Sequence, residues 1–244
     1  MATELEAPPQ RVDQDEVERA IRLLFPEDHV VELRCPKTPN GCVSGYYDDG
    51  DSLHYDACQW SGRAESVYVT LNPVREDLLA RACNRAKGYS KHTTADKDIL
   101  RRRWLLVDFD AVRPAGISSN DEEHEAALER ARACRDWLHS LDWPAPIYAD
   151  SGNGAHLLYR VDGPNDAATE RALKSILEKL ARQFDDERVT VDPTTFNASR
   201  ISKLYGTLAA KGDHVPRLGR VHRIARILDA PDRFEVLRLE GGAP

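Results

Sequence analysis

The sequence lacks any long apolar stretch. No run in its 244 residues approaches the roughly 18 apolar residues of a membrane-spanning helix, and the opening MATELEAPPQ lacks the basic and apolar regions of a secretory signal. Internal repeats and low-complexity tracts are also missing. Because 41% of the residues are hydrophobic, the chain can bury a substantial core. We therefore expect a cytoplasmic protein with no membrane partner, in which a disordered segment over 1–12 precedes one composite domain over 13–240.

Cysteine is scarce and scattered. The five cysteines are an odd number in a chain large enough to fold without disulfides, so no disulfide framework is expected. Cys35, Cys42, His54 and Cys58 are candidates for a zinc site, but six residues with two prolines separate the first pair. Structural zinc sites usually contain closer pairs such as C-x2-C. We expect reduced thiols and no structural zinc.

Positive charge is also in deficit. A net charge of -7 argues against a simple nucleic-acid-binding protein, because phosphate contacts depend on lysine and arginine. The charges are unevenly distributed, however. Residues 85–103 hold seven basic and two acidic residues, and residues 200–226 hold seven basic residues and one acidic residue. These two stretches are candidates for contact with an anionic partner.

The first hundred residues mix helices with short strands. Asp13 followed by Glu16 predicts a capped helix over 13–25. Asn72 and Pro73 predict the start of another helix through LLARAC. Between them, turn residues separate three β-branched or aromatic runs that are typical of antiparallel strands: HVVELR, CVSGYY and SVYVTL.

The rest of the chain alternates strands with longer helices. RRWLLVDFD predicts a buried strand, and Ser119 or Asn120 opens a long amphipathic helix. The strands PIYAD and AHLLYRV flank the turn SGNG, and Asn165 is predicted to cap a further helix. RVTVD, GRVHRIARIL and RFEVLRL follow as predicted strands. This order predicts an α+β fold in which helices cover one side of a mainly antiparallel sheet.

Three aspartates end apolar strands. Asp108 and Asp110 are one residue apart, so on a strand both side chains point to the same face, about 7 Å apart, while Phe109 points into the core. Asp192 ends RVTVD in the same manner. An acidic chain also produces D-x-D by chance, as DQD and DKD elsewhere show. Charge at the end of an apolar strand is costly, however, and converging carboxylates demand a counter-cation, for which Mg²⁺ or Mn²⁺ is suited.

A small-residue turn and a basic pair accompany the carboxylates. Around the turn at 152–154, the hydroxyl of Ser151, backbone N–H groups and the imidazole of His156 can converge on an anion; a plain hairpin turn is the alternative. Arg200 and Lys203 present two cations on one face if their segment is helical, and a solvated basic face is the alternative. Together with the carboxylates, these are the parts that hold metal-bound polyphosphate.

These motifs resemble, in order, those of the archaeo-eukaryotic primase superfamily, specifically the primase-polymerase catalytic domains of plasmids, phages and CRISPR-linked loci. VDFD is similar to the first motif, SGNGAH to the second, and VDPTTFNASRISKLYGT to the third with its basic extension. The similarity extends over about residues 30–228 and includes VYVTLNPV around Asn72.

The resemblance implies a fold and a set of site residues. The implied fold has a catalytic module like an RNA-recognition fold packed against a second αβ module, over approximately 13–100 and 101–240, with the active site in the cleft between them. Asp108, Asp110 and Asp192 would hold the metal ions. The implied triphosphate site consists of Ser151, Gly152, Asn153, Gly154, His156, Arg200 and Lys203. Asn72 and the basic residues of 85–103 are further candidates for contact with nucleotide or template.

The activity implied is that of a DNA primase and DNA polymerase. Two Mg²⁺ or Mn²⁺ ions would assist the transfer of dNTPs or NTPs to a primer on a DNA template, with a helicase or CRISPR adaptation proteins as further partners. No helicase, accessory zinc-binding segment or helical priming segment is recognisable, which favours primer extension over primer synthesis. Two alternatives stay open. One is a non-catalytic replication protein that binds single strands, for which an aromatic content of 7% offers few stacking platforms. The other is a metal-dependent phosphohydrolase or nuclease that uses the same acids.

Overall fold

The computed structural model describes residues 11–26 and 29–239. Most of the segment 1–12, predicted to be disordered, therefore lies outside the described residues, while Val12 at its end pairs with Thr207. Within the described ranges, no helix combines the length and the apolar content needed to cross a membrane. The fold is α+β with antiparallel sheets, as the sequence predicts.

The described chain contains four α-helices and eleven strands. In sequence order they are α1 (Gln14–Leu24), β1 (Val31–Thr38), β2 (Gly41–Tyr47), α2 (Gly50–Trp60), β3 (Tyr68–Thr70), β4 (Arg101–Ala111), α3 (Asp121–His139), β5 (Ile147–Asp150), β6 (Gly154–Pro164), α4 (Ala167–Phe184), β7 (Val189–Val191), β8 (Ile201–Lys203), β9 (Leu208–Ala209), β10 (Arg223–Ile224) and β11 (Arg226–Asp229). Short 3-10 helices lie at Glu76–Arg81, Asp96–Asp98 and Pro216–Leu218.

Two antiparallel sheets make up the body of the protein. The larger has five strands in the order β11-β5-β6-β4-β7, and α3 and α4 cover one of its faces. The smaller has four strands in the order β2-β1-β3-β8 and shares a second core with α1, α2 and the other face of the larger sheet. Because β8 completes the smaller sheet, the second half of the chain contributes to both sheets, and residue 100 does not separate them.

Strand β4 shows how the sequence positions the site. Successive side chains of a strand point to opposite faces. The odd-numbered positions are apolar and pack against α3 and α4: Leu105, Val107, Phe109 and Ala111. The even-numbered positions Trp104 and Leu106 enter the core between the sheets, and the same face then ends in Asp108 and Asp110. The alternation therefore carries two carboxylates to the mouth of the space between the sheets.

Two predicted helix caps are confirmed, and the predicted cap of α4 is wrong. The side chains of Asp13 and Asn120 accept hydrogen bonds from the N–H groups of Glu16 and Glu123, so both residues cap helices as predicted. Asn165 does not cap α4; Asp166 does so instead, by accepting from the N–H of Thr169 at 2.8 Å. The side chain of Asn165 is engaged elsewhere, since it donates to the carbonyl oxygens of Asp96 and Ile99 and accepts from Arg102.

Three other expectations also differ from the structure. The stretch after Asn72 and Pro73 forms only a 3-10 helix at Glu76–Arg81, without a side-chain cap. The sequence RFEVLRL is not a strand, although GRVHRIARIL supplies β10 and β11. Helix α2 was not anticipated, although Asp49 caps it through the N–H of Ser52 at 2.9 Å.

Candidate active site

The two carboxylates of β4 lie opposite a histidine of β6. Asp108 pairs directly with His156 across the two strands, so their side chains share a face. His156 Nε2 lies 3.4 Å from Asp108 Oδ1, and its Nδ1 lies 2.8 Å from the hydroxyl of Tyr205. The side chain of Asp108 is 24% exposed and that of Asp110 is 54% exposed. The structure therefore joins the first two predicted motifs in one place.

The two aspartates experience opposite electrostatic environments. Burial alone would raise the pKa of Asp108, but the contact with His156 and the positive charges of Lys203 and Arg200 outweigh it and hold that pKa below its ordinary value. The pKa of Asp110 is raised, first by repulsion from Asp108 and then by burial. The pair thus carries repulsion that a bound cation would relieve.

Two predicted cations face the carboxylates from β8 and the residue before it. Arg200 and Lys203 were predicted to share a face if their segment is helical. The segment is extended instead. Lys203 is 7% exposed, and burial lowers its pKa to about 8 against the opposing attraction of Asp108. Arg200 donates from Nη2 to the Thr194 hydroxyl at 3.2 Å, while its Nε is buried without a hydrogen-bond partner. An unpartnered buried N–H favours an anionic ligand at this point.

The cleft between the carboxylates and the cations has a volume of about 100 Å³. Its lining comprises Tyr68, Leu106, Asp108, Asp110, Arg113, Ser151, Asn153, His156, Thr195, Arg200, Ile201, Ser202, Lys203 and Lys211. Arg113, Lys211 and Tyr68 were not singled out from the sequence. Lys211 belongs to the basic stretch 200–226, which was the available signal, but Arg113 lies in a loop and approaches Asp110 only through the fold, at 3.9 Å.

The turn predicted to bind phosphate is a two-residue hairpin turn. The N–H of Ser151 donates to the carbonyl oxygen of Gly154 at 3.0 Å, and Gly152 has a φ of +91°. A Cβ at Gly152 would lie 2.4 Å from Ala209 Cβ, and one at Gly154 would lie 2.1 Å from Phe109 O. Both glycines are therefore required by close packing. Ser151 lines the cleft, whereas the glycines do not.

Asn153 lines the cleft and also holds neighbouring loops together. Its Oδ1 accepts from the N–H of Ser119 at 3.0 Å, and its Nδ2 donates to the carbonyl oxygen of Lys211 at 3.2 Å. Asn153 is 6% exposed, so these bonds use most of its capacity. Its main effect is to fix the position of the backbone at Lys211.

Asp192 lies beside Asp108 in the backbone but turns its side chain away. Its N–H donates to the carbonyl oxygen of Asp108 at 2.9 Å, which continues the pairing of β4 with β7. Its Oδ1 accepts from the N–H of Thr194 at 2.8 Å and from the Thr194 hydroxyl at 2.7 Å. Among the described residues, no group of three or more His, Cys, Asp or Glu side chains is already arranged to hold a metal ion. The structure therefore brings together two of the three predicted ligands.

Asn72 does not line the cleft. It is 2% exposed, and its Oδ1 accepts from the N–H groups of Arg103 at 2.7 Å and Trp104 at 3.4 Å. Its Nδ2 donates to the carbonyl oxygen of Ala198 at 2.8 Å. Both ends of the amide are used within the chain, which gives Asn72 a structural role at the start of β4.

The five cysteines are all free thiols, and Cys58 Sγ lies 3.6 Å from His54 Nε2.

No family model, curated protein or solved structure matches the chain. The chemistry of the site must therefore be inferred from its own residues, which combine two carboxylates, a buried lysine, a partly unpartnered arginine and a histidine fixed by a tyrosine.

Proposed function

We propose that the protein is a metal-dependent nucleotidyltransferase of the primase-polymerase kind, which adds nucleoside triphosphates to a nucleic-acid primer on a template. The observation that carries this proposal is the opposition of charge across one cleft. Asp108 and Asp110 of β4 form its acidic wall on the larger sheet, and Lys203 of β8 with Arg200 just before it forms its basic wall on the smaller sheet. A metal-bound triphosphate has the complementary arrangement, since its cations need hard oxygen ligands and its phosphates need cationic donors.

The donors of the acidic wall fit Mg²⁺ or Mn²⁺. Asp110 is half exposed, its nearest ion-pair partner is 3.9 Å away, and its pKa is raised by Asp108, so a divalent cation would relieve the repulsion. Asp192 would join as a third ligand when its side chain exchanges the Thr194 donors for the ion. Bound ions would lower the pKa of the attacking hydroxyl and neutralise charge on the phosphates.

The donors of the basic wall fit a triphosphate. Burial of Lys203 and the unpartnered Nε of Arg200 both leave a favourable interaction to be made with an anion. Burial raises the pKa of Tyr205, so its hydroxyl stays protonated and can donate to His156 Nδ1. That bond would keep the proton on His156 Nε2, which faces the cleft as a donor to phosphate. Ser151 adds a hydroxyl at the same side.

The fold we propose is that of the archaeo-eukaryotic primase superfamily. Two observations support it: the cleft lies between two antiparallel sheets, and residues from each of the three motifs line it, although Asp192 does not. Within this proposal, the five-stranded sheet with α3 and α4 corresponds to the module that resembles an RNA-recognition fold.

Primer extension on a DNA template tests the proposal directly. A labelled primer is incubated with dNTPs or NTPs and with Mn²⁺ or Mg²⁺, and the parent is compared with Asp108→Asn/Asp110→Asn. Because metal assistance is worth several kcal/mol, incorporation should fall by about a thousandfold or more. The matched control is Asp136→Asn/Asp229→Asn, which makes the same charge change at side chains that are 63% and 67% exposed.

Three outcomes distinguish the proposal from its alternatives. Equal incorporation by the parent and the Asp108→Asn/Asp110→Asn variant would overturn the mechanism. Shortening of the labelled primer in the absence of nucleotides would indicate a nuclease instead. Products formed without any primer would extend the proposal to primer synthesis.

A further inference from the structure

Residues 83–91 run along the outer edge of β2, on the side away from β1, and pair with it through isolated bridges at Cys83 and Lys87. Ser44 of β2 and Lys87 exchange both of their backbone hydrogen bonds, each at 3.0 Å. Exposed residues alternate with more covered ones along this segment. The exposed set is Cys83, Arg85, Lys87, Tyr89 and Lys91, and the covered set is Asn84, Ala86, Gly88 and Ser90. The exposed side chains form a row of basic residues interrupted by one aromatic ring; the row is defined by exposure, because the backbone leaves the extended conformation at Asn84 (φ +48°) and Tyr89 (φ +54°).

The backbone of this segment is fixed before any partner binds. Asp56 of α2 accepts from the N–H of Ala86 at 2.7 Å. A side chain at Gly45 would meet the carbonyl oxygen of Arg85 at 2.3 Å, so the glycine permits the close approach to β2. Further N–H groups of the segment donate to the edge of the sheet: Asn84 to Tyr46 O at 2.8 Å, Tyr89 to Asn40 O at 2.8 Å and Ser90 to Cys42 O at 2.9 Å. Such preorganisation lowers the entropic cost of binding.

Tyr89 is unusual in both its exposure and its backbone. Its residue is 72% exposed, and its φ of +54° lies in the left-handed region. Bulky side chains rarely adopt this conformation, yet here the tyrosine adopts it and the neighbouring Gly88 does not. Strained backbone of this kind often coincides with functional positions. Here it holds an aromatic ring in solvent between Lys87 and Lys91.

The cations of the row are not neutralised by any residue that the structure describes. Among the described residues, the side chains of Arg85, Lys87 and Lys91 make no ion pair. Arginines elsewhere do make them, as Arg130 does with Asp186 and Arg220 with Glu123. In a chain with a net charge of -7, a row of free cations marks a surface for an anionic partner.

We propose that Arg85, Lys87, Tyr89 and Lys91 form a binding strip for single-stranded nucleic acid. Cations alone would suit any polyanion, but an exposed ring between them suits an unpaired base, which can stack while its phosphates meet the lysines. A duplex keeps its bases stacked on each other and offers Tyr89 no free face. The strip rests on the proposed function for its role, because it would hold the template strand of a polymerase.

The position of the strip agrees with that role. It forms the edge of the smaller sheet next to β2, whereas Lys203 lies on β8 at the opposite edge. Four strand spacings separate them, which corresponds to about 20 Å. A strand of several nucleotides could therefore contact the strip while its end lies at the cleft.

Fluorescence anisotropy with a labelled oligothymidylate of about 16 nucleotides tests the aromatic contact. The buffer contains EDTA and no nucleotides, so failure of the polymerase assay leaves this test intact. Tyr89→Asn removes the ring but keeps a residue that tolerates the left-handed backbone, and it should weaken binding about tenfold. Tyr89→Phe keeps the ring and should bind within about twofold of the parent. Tyr55→Asn is the matched control, since Tyr55 is 63% exposed on α2, and it should bind as the parent does.

The cationic contacts are tested through the dependence of binding on salt. Lys87→Ala/Lys91→Ala should reduce the slope of log affinity against log salt concentration by about 1.4, because each phosphate contact with a single strand contributes about 0.7. Lys174→Ala/Lys179→Ala makes the same charge change on α4 and should leave the slope unchanged.

The remaining outcomes either support or overturn the strip. If Tyr89→Asn weakens the binding of an oligouridylate as it does that of the DNA, the strip binds nucleic acids with either sugar. If it weakens the binding of only one of the two, the strip is selective for that sugar. Absence of single-strand binding by the parent at low salt would overturn it. Binding of the single strand by Tyr89→Asn as tight as that by the parent would also overturn it. So would a loss of duplex binding in Tyr89→Asn as large as its loss of single-strand binding, which would indicate a general polyanion surface.

Discussion

The two walls of the cleft hold charges that are unfavourable for different physical reasons. On the acidic wall, the pKa of Asp110 is raised chiefly by repulsion from Asp108. On the basic wall, the pKa of Lys203 is lowered to about 8 chiefly by burial. Repulsion between like charges is relieved by a cation, and a buried cation is stabilised by an anion. Under the proposed function, the two walls would bind different parts of one ligand, so changes to either wall should separate the two contributions.

After the loss of both carboxylates on the acidic wall, a change to the basic wall should show the largest effect on activity. Lys203→Met keeps the length of the side chain but removes its charge, and primer extension should fall by about a hundredfold to a thousandfold, as for other donors that stabilise charge in a transition state. Lys174→Met, on a side chain that is 50% exposed, is the control and should retain activity. Activity of Lys203→Met equal to that of the parent would show that the buried lysine does not contact the triphosphate.

The same substitution should stabilise the metal-free protein. The pKa of Lys203 is depressed in the folded state, so the folded protein binds fewer protons than the unfolded chain between pH 8 and about 10.5. The free energy of unfolding of the parent should therefore rise with pH across this window. Lys203→Met should be more stable by on the order of 2 kcal/mol at pH 7, and its advantage should disappear near pH 10.5. Urea denaturation in EDTA at pH 7 and pH 9.5 measures both quantities.

The hydrogen bonds of Asn72, which connect the two walls, should show the next largest effect. Asn72 binds the N–H groups at the start of β4 and the carbonyl oxygen of Ala198, which leads into Arg200. Asn72→Ala leaves these buried groups unpaired and should lower the free energy of unfolding by about 2–3 kcal/mol. Urea denaturation measures the loss, with exposed Asn40→Ala as the control. A loss of nucleotide affinity without a loss of stability would restore Asn72 as a ligand-binding residue.

Asn72 also shows where the sequence is insufficient. The two faces of β4 can be predicted because the direction of the side chains on a strand repeats every two residues. The positions of Asp108, Asp110 and Phe109 therefore follow from their neighbours. Caps such as Asn120 are legible because their partner is three residues away. Asn72 has partners that are distant in the sequence, and a helix start predicted from local propensity cannot compete with buried hydrogen bonds made by the fold.

The composition of the cleft could be predicted only in part for the same reason. His156 and Asp108 meet because β4 pairs with β6 in an antiparallel register that the fold sets and the local sequence does not. Arg113 and Lys211 come from irregular loops, and Asn153 positions the second of these through its backbone. The outward turn of Asp192 depends on Thr194, two residues later, and could have been suspected from the sequence DPTT, because aspartate commonly bonds its own backbone in turns.

The contact between His156 and Tyr205 joins the walls through a single hydrogen bond. His156 belongs to β6 on the acidic side, and Tyr205 follows β8 on the basic side. Tyr205→Phe removes the bond at Nδ1 and should lower the rate of primer extension by about tenfold, equivalent to one hydrogen bond, with little change in KM. Tyr159→Phe is the control, since Tyr159 is equally buried but lies in the core beside α3. A change in KM alone would mean that His156 binds the ground state and the transition state equally.

The turn at Thr194 should show the smallest effect and the most specific one. The Thr194 hydroxyl donates to Asp192 Oδ1 and accepts from Arg200, so it holds an acidic residue and a basic residue in the metal-free arrangement. Thr194→Val removes the hydroxyl and should lower the Mn²⁺ concentration for half-maximal primer extension by about threefold, because one competing hydrogen bond is lost. Thr194→Ser keeps the hydroxyl and should match the parent. If the Mn²⁺ requirement of Thr194→Val is unchanged while Asp192→Asn still abolishes activity, Asp192 acts through the position of the turn and not as a ligand of the metal.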